Sequence, residues 1–291
     1  MNLNYSCYNN DPVTTALLLA AGTGSRLYPL TQNMPKCLTM VNGMPILERL
    51  VSCLNQQGFK RLVVVTGHLG NRIRDFLGMQ AGGMKIDYIF SPLYETTNNI
   101  YSLWMAREII QEPFLLVESD LVFDVSLLDN MLYPDKIAIA RMQPWMNGST
   151  VTVNQFQQVK AFGNGTARPS HETRYKTVNI YSLSLSSWHR IAVRLDRFIS
   201  AGRVNDYYET VFAEMVADGS LSLQTVSFDN KPWHEIDTVV DLAKAERIFT
   251  ADRYEITAPC DITLQTVGIS RRIFQRSRDR EMDLGTISLQ A

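Results

Sequence analysis

Residues 17 to 38 read Leu-Leu-Leu-Ala-Ala-Gly-Thr-Gly-Ser-Arg-Leu-Tyr-Pro-Leu-Thr-Gln-Asn-Met-Pro-Lys-Cys-Leu. An apolar run ends at Ala20-Ala21, and a turn of two glycines and two hydroxyl residues follows, Gly22-Thr23-Gly24-Ser25. Arg26 comes next, and Lys36 lies ten residues later. A buried strand that opens into a short, amide-rich loop makes a cradle for an anion. Two cations at its rim extend that cradle to a triphosphate. A dinucleotide fingerprint needs a third glycine and a helix opening directly behind it. Leu27 stands at that position, and Tyr28-Pro29 prevents an immediate long helix. The G-x-x-x-x-G-K-[ST] loop is also absent. What remains is a wider loop, with Pro35 stiffening the backbone before Lys36. Its place at the carboxyl end of the first strand is where open α/β sheets bind ligands. The alternative is a surface loop with solvated cations.

Working outward, Thr14 to Ala21 is a continuous apolar run, as in a strand buried on both faces. Residues 45 to 57 carry helical spacing at Ile46, Leu47, Leu50, Val51 and Leu54, with Gly58 as the stop. Strands are predicted at 61–66, 85–90 and 114–117, with helices at 69–77 and 99–110 between them. Thr97 or Asn98 is the expected cap of the second helix. Alternating strands and helices predict an α/β fold with a mostly parallel central sheet flanked by helices. After Asp124 the texture turns β-like, at 136–142, 150–154, 158–162 and 177–183, with an insertion around 163–175. This reads as a mixed-sheet extension. Helices near 187–200 and 206–218, a strand at 221–228, the run Trp233-His234-Glu235-Ile236-Asp237 and a helix at 239–249 complete the pattern.

The expected organisation is an arm at 1–13, one domain at 14–250 and a C-terminal extension or linker at 251–291. Of the 291 residues, 45% are hydrophobic and 20% charged, as in an ordinary globular protein. A net charge of −1 implies neither a nucleic-acid nor an anionic-membrane partner. Cys7, Cys37, Cys53 and Cys260 are scattered, without C-x-x-C spacing. Ala16 to Ala21 is too short for a signal or a membrane span. A cytoplasmic setting is expected.

The loop resembles the nucleotidyltransferase superfamily, whose pattern is L-A-A-G-x-G-S/T-R-L/M followed by P-K. Ala20 to Leu27 and Pro35-Lys36 match it without a gap. The resemblance covers roughly residues 14 to 250 and implies a Rossmann-like sheet with a mixed β acceptor-binding extension. It also implies transfer of a nucleoside monophosphate onto a phosphorylated acceptor. Within the superfamily, Asn98-Asn99-Ile100-Tyr101-Ser102 resembles the N-x-I-Y-S block of the small cytidylyltransferases. Glu235-Ile236-Asp237 with Asp241 resembles their terminal acidic block. Residues 175–181 (Tyr-Lys-Thr-Val-Asn-Ile-Tyr) resemble the 2-aminoethylphosphonate branch. The choline-phosphate branch is the next reading, and sugar-1-phosphate enzymes the third. A regulatory subunit of the same fold is the non-enzymatic alternative, and such relatives tend to lose these cations and aspartates.

The implied reaction is attack of a phosphonate or phosphate oxygen on the α-phosphorus of CTP, with pyrophosphate leaving. Such a nucleophile is already anionic, so catalysis is positioning plus charge stabilisation. Lys36 is expected at the α-phosphate and Arg26 on the leaving pyrophosphate. Ala20, Ala21, Gly22, Thr23, Gly24 and Ser25 form the cradle, and Asn98 and Ser102 contact cytosine or ribose, unless Asn98 is simply an N-cap. Mg²⁺ takes carboxylates plus phosphate oxygens, and Asp120 and Asp237 are its candidate ligands. Asp237 has the alternative of capping the helix after it.

For the acceptor, the cation candidates are Lys160 first, then Arg141 and Lys176. A primary ammonium asks for carboxylate or carbonyl acceptors. Glu209, in Tyr207-Tyr208-Glu209, stands where the choline-phosphate enzymes, which the chain resembles, place an acidic residue after an aromatic one, and Glu235 is a candidate for binding acceptor or water. A quaternary ammonium asks for an aromatic cage, here Trp145, Tyr181 and Trp233. The resemblance raises a last expectation, since some aminoethylphosphonate cytidylyltransferases are fused to an aminotransferase: the polar, charge-dense segment after residue 250 would be the start of a linker toward one. No lysine follows Lys244, so a pyridoxal-phosphate site is not expected within this tail.

Overall fold

Six consecutive buried residues, Thr15–Ala20, form strand β1. They are apolar without alternation because both faces of the strand are covered. Leu18 packs into a cluster with Leu47, Leu50 and Leu54. Leu17 and Leu19 face the opposite layer, with Ile100, Leu103 and Trp188. Burying each such side chain contributes roughly 1.5–3 kcal/mol.

The computed structural model describes residues 12–165 and 172–250. After β1 come α1 (Ile46–Gln56), β2 (Arg61–Thr66), α2 (Gly70–Leu77), β3 (Met84–Phe90), α3 (Asn99–Met105) and β4 (Phe114–Glu118). β2 and β4 flank β1, β3 lies beyond β2, and all three pairings are parallel. Parallel neighbours require crossovers, which the helices supply. The helix expected at 99–110 is α-helical only to Met105 and then tightens into a 3-10 turn, Ala106–Glu108. Val13, placed in an arm by the sequence reading, belongs to the core instead, because its apolar side chain is buried and its N–H donates to the Leu132 carbonyl.

The second half contains β5 (Leu121–Phe123), β6 (Lys136–Arg141), β7 (Ser149–Val153), β8 (Val159–Asn164) and β9 (Tyr175–Leu183). Then follow α4 (Leu185–Ser200), α5 (Tyr208–Ala217), β10 (Gln224–Ser227), β11 (Trp233–Glu235) and α6 (Val239–Ile248). The main sheet runs β8-β7-β9-β4-β1-β2-β3, with β6 branching from β9 and β10 pairing in parallel with β6. β9 is antiparallel to β4 and so welds the mixed extension to the parallel sheet. Its register against β6 shifts between Thr177 and Tyr181, and Asn179 there has φ 60°. Such bulges re-aim side chains beside functional sites.

The pairing of β5 with β11 was not anticipated from the sequence. It sets Glu235 opposite Leu121, and the Ile236 N–H donates to the Asp120 carbonyl at 2.9 Å. Two acidic segments more than a hundred residues apart in sequence thereby meet at the carboxyl end of the sheet. The expected extension 251–291, its charge-dense run and any link to an aminotransferase lie outside the described residues. Among the described residues no helix is long and apolar enough to cross a membrane.

Candidate active site

The loop after β1 needs its second glycine for two reasons. Gly24 adopts φ 66°, and a Cβ there would sit 3.0 Å from the Lys36 Cβ. The turn is then pinned by its carbonyl, which accepts from the Thr31 hydroxyl at 2.9 Å and the Leu27 N–H at 3.0 Å. Ala21, Gly22, Gly24 and Ser25 line a cleft of about 280 Å³. Asn98 and Ser102 line its opposite wall. Ala20 is buried within β1, and Thr23 is exposed outside the lining. Asn98 also caps α3, its side chain accepting from the Asn99 N–H at 2.8 Å. The two readings of Asn98 are therefore compatible.

Lys36 enters the cleft from a 3-10 turn set up by Pro35. Its ammonium donates to Asp120 Oδ2 at 2.7 Å and to Asp237 Oδ1 at 2.6 Å. Burial lowers the Lys36 pKa, but Asp120 and Asp237 more than reverse this, and the net shift is upward. Lys36 is thus a fixed cation across the working pH range. Arg26 reaches the same Asp237 oxygen at 2.8 Å, and its side chain, at the rim of the cleft, is 66% exposed. Asp237 does not cap α6. Thr238 does so, in a capping box with Asp241 that satisfies the first-turn N–H groups.

Carboxylate oxygens of Glu118, Asp120 and Glu235 lie within 4.8 Å of one another. Asp120 Oδ1 is buried without a hydrogen-bond partner, an orphan acceptor that a hard cation would satisfy. The donor set is all oxygen, which suits Mg²⁺ rather than a softer metal. Burial, then the charges of Asp120, Glu209 and Glu235, raise the Glu118 pKa well above the usual carboxylate range. Glu235 is raised by burial, against the pull of Lys176.

The expected acceptor residues separate into two groups. Glu209 and Glu235 come together around Lys176, whose side chain is 4% exposed and whose ammonium lies 3.1 Å from Glu235 Oε2. Glu209 Oε1 accepts from the Ser149 hydroxyl at 3.4 Å, and its Oε2 is buried with no partner. Lys160, Tyr181 and Trp145 do not join them. Lys160 stands on the exposed face of β8 and pairs with Glu172. Tyr181 is fully buried against the rings of Tyr208 and Phe212, because β9 is a central strand and its residue 181 faces the core. Trp145 is 64% exposed on the turn before β7. Cys37, next to Lys36, is no nucleophile, since burial pushes its thiol up to about 12.

Sequence reasoning passed over Tyr94 and Tyr207, which line the cleft, and the Glu118 side chain at its floor. A signal for Tyr94 existed in Gly67. A Cβ at Gly67 would lie 2.6 Å from both the Ala21 carbonyl oxygen and the Tyr94 Cβ. That glycine is what lets Tyr94 close against the β1 end.

The model of the family described as nucleotidyl transferase matches residues 15–174. The CMP-5'-(3-aminopropyl)phosphonate synthase of Streptomyces rubellomurinus is 31% identical over 274 residues. That match takes in 87% of this chain, which spans 42% of the length of that relative. The 2-aminoethylphosphonate cytidylyltransferase of Lancefieldella rimae is 25% identical, over 81% of this chain and 93% of its own. The fold is similar to that of the CTP:phosphocholine cytidylyltransferase of Streptococcus pneumoniae, with a TM-score of 0.70 at 21% identity, covering 81% of this chain and 99% of that one.

Proposed function

The chain belongs to the nucleotidyl transferase family, and from that premise we propose that it is a Mg²⁺-dependent cytidylyltransferase transferring CMP from CTP to 2-aminoethylphosphonate, with release of pyrophosphate. The observation that carries the reading is Lys36, a buried cation from the glycine loop that spans Asp120 and Asp237 at the mouth of the sheet. In this scheme a phosphonate oxygen attacks the α-phosphorus. The new P–O bond forms as the bond to pyrophosphate breaks, and no proton need be removed from the nucleophile. Lys36 stabilises charge on the α-phosphate as it develops. Arg26, exposed at the rim, neutralises the departing pyrophosphate. Backbone amides of residues 22–25 hold the remaining phosphate oxygens. Asp120 and Asp237, with Glu235 beside them, would hold Mg²⁺, which supplies the charge neutralisation that lets two anions approach.

The acceptor assignment rests on Glu209. A buried carboxylate oxygen without a partner is a ready site for an ammonium group. Of the cage candidates, Tyr181 is packed in the core with its ring against Tyr208 and Phe212, and Trp145 stands exposed, so neither is set as an open wall for a quaternary ammonium. A primary amine is therefore the better match. Names of relatives support the same class, an amine carried on a phosphonate.

The test is pyrophosphate release with CTP, UTP and dTTP, each against 2-aminoethylphosphonate, 3-aminopropylphosphonate, choline phosphate and a hexose 1-phosphate. Turnover with CTP and 2-aminoethylphosphonate is expected to lead. Preference for 3-aminopropylphosphonate would move the acceptor by one methylene. Preference for choline phosphate would remove the role given to Glu209, and preference for UTP or dTTP with the sugar phosphate would sink the reading.

A further inference from the structure

Glu118 ends β4 two residues before Asp120, and both of its carboxylate oxygens are engaged. Oε1 accepts from the Asn99 amide at 3.2 Å and from the Tyr208 hydroxyl at 2.9 Å. Oε2 accepts from the Asn179 amide at 3.2 Å. The Asn99 side-chain oxygen in turn accepts from the Tyr208 N–H at 3.1 Å. Three elements therefore meet on one side chain. The first is the start of α3, which carries the cleft residues Asn98 and Asn99. The second is the start of α5, where Tyr208 precedes Glu209. The third is the left-handed residue of the β9 bulge, Asn179. The connection continues beyond it. The Thr177 hydroxyl lies 2.9 Å from Asn179 Oδ1 and 3.1 Å from the Ser149 carbonyl, and the Ser149 hydroxyl reaches Glu209.

We propose that Glu118 is a positioning residue that couples the nucleotide wall of the cleft to the acceptor wall, and that it is not a ligand of the metal ion. The inference rests on the cytidylyltransferase reading above. Glu118 lies within reach of the acidic cluster, but three hydrogen bonds already occupy most of its lone-pair sites and orient it toward α3, α5 and β9. Asp120 offers an oxygen that displaces nothing. The network also has a direction of use. A nucleotide seated against Asn98 and Asn99 fixes the Asn99 side chain, and with it Tyr208 and the first turn of α5. Glu209 is then held where the acceptor's ammonium needs it. By thermodynamic linkage, the acceptor tightens the nucleotide by the same factor.

The experiment measures 2-aminoethylphosphonate binding to the full chain by calorimetry, with Mg²⁺ present, in the absence and presence of α,β-methylene-CTP. The wild type is expected to bind the acceptor about tenfold tighter when the analogue is present. Glu118→Ala should bring that ratio close to one, while the affinity for the analogue alone changes by less than about threefold. Tyr208→Phe cuts one hydrogen bond without a change of fold or volume, and its ratio should fall between the two. Glu118→Gln keeps an acceptor for Asn99 and Tyr208, so it should retain most of the coupling. Its Mg²⁺ activation curve should overlay the wild type, whereas that of Asp120→Asn shifts. A wild-type ratio near one overturns the inference. So does a wild-type ratio in both Glu118→Ala and Tyr208→Phe, or a Mg²⁺ curve for Glu118→Gln that moves with Asp120→Asn. If Glu118→Ala does not fold, Tyr208→Phe and Glu118→Gln decide the matter. Failure of the wild type to turn over CTP overturns the cytidylyltransferase reading itself. Failure in the variants alone overturns only the coupling.

Discussion

The proposed nucleotide wall and the proposed acceptor wall are built differently. The first takes Ala21, Gly22, Gly24, Ser25, Arg26 and Lys36 from one stretch of chain, two of them cations. The second draws Ser149, Lys176, Asn179, Glu209 and Glu235 from β7, β9, α5 and β11, and offers buried side-chain carboxylates. A backbone cradle is cheap to build, because it needs only a permitted turn and a glycine where a Cβ would clash. A buried carboxylate has to be held by partners from distant elements, and any group left unpaired costs stability. The difference teaches where selectivity resides. On the proposed reading, a phosphate would be gripped by local geometry and the acceptor chosen by a tertiary network.

Lys36 ties the glycine loop to Asp120 and Asp237 and is the cation proposed for the α-phosphate, so its loss should be the most damaging. Lys36→Ala removes the charge aimed at the α-phosphate, and the rate of pyrophosphate release should fall about 10³-fold even at saturating Mg²⁺. Lys36→Arg should not restore it, because a planar fork does not fit a position set for a point charge between two aspartates. Retention of near wild-type turnover in Lys36→Ala would break the comparison at its centre.

Glu209→Gln tests the acceptor wall alone. The KM for 2-aminoethylphosphonate should rise about 10- to 100-fold, the range for losing a hydrogen bond to a charged group, while the KM for CTP stays unchanged. The same variant carries a pH signature. Burial, opposed by Ser149 and Lys176, leaves the Glu209 pKa raised above 4.5. The folded state therefore holds this proton more tightly than the unfolded chain. Its contribution is complete below pH 4.5 and is lost as pH rises through the folded value. Glu209→Gln, neutral at every pH, should lack this loss. In melts its Tm relative to the wild type should be highest at neutral pH, and the advantage should shrink toward pH 4.5. A Tm difference that grew as pH fell would contradict the assignment.

Most of the parallel sheet was legible because its signals are local. Residues 61–66 read as a strand from the run Leu-Val-Val-Val, and β2 has those bounds, with all but Arg61 buried. The glycine loop was legible for the same reason. Tyr181 shows why the acceptor wall was not. An aromatic residue near a predicted strand end is more often core than pocket wall, and the pairing of Tyr181 with Leu116 in a central strand places it in the core. Lys160 and Lys176 present the same problem. Both sit in β-like runs, and the strand face decides that one is exposed and the other buried against Glu235. A one-residue change of register reverses such an assignment, and register in a mixed sheet is set by long-range pairing. Glu118 lies between a predicted strand end and Asp120, but its three donors come from residues 99, 179 and 208, which no spacing rule connects.

Gly67→Ala probes the local character of the nucleotide wall. The added methyl would meet the Ala21 carbonyl oxygen and Tyr94 at 2.6 Å, so the β1 end and the Tyr94 loop must part. Overpacking of this kind costs about 1–3 kcal/mol, which should appear as a lower Tm. Because Tyr94 lines the nucleotide side, the KM for CTP should rise and the KM for the acceptor should not. A rise in both would mean that the walls are coupled through the cradle as well as through Glu118.

The smallest effect is expected one residue beyond the metal candidate. Thr238 caps α6, its hydroxyl accepting from the Asp241 N–H at 3.2 Å, and the Asp241 carboxylate accepts from the Thr238 N–H at 3.0 Å. Thr238→Ala removes one half of this box and should cost about 1 kcal/mol of stability. Asp237 is held by Lys36 and Arg26 rather than by the cap, so its position should survive the change. Turnover should therefore fall by less than a factor of about two, a surface-sized effect on the barrier. The paired readout matters more than either number. A Tm drop with intact turnover separates the helix from the site, whereas a large loss of turnover would show that Asp237 depends on α6 for its place, and that the cleft is less rigid on its carboxylate side than on its glycine side.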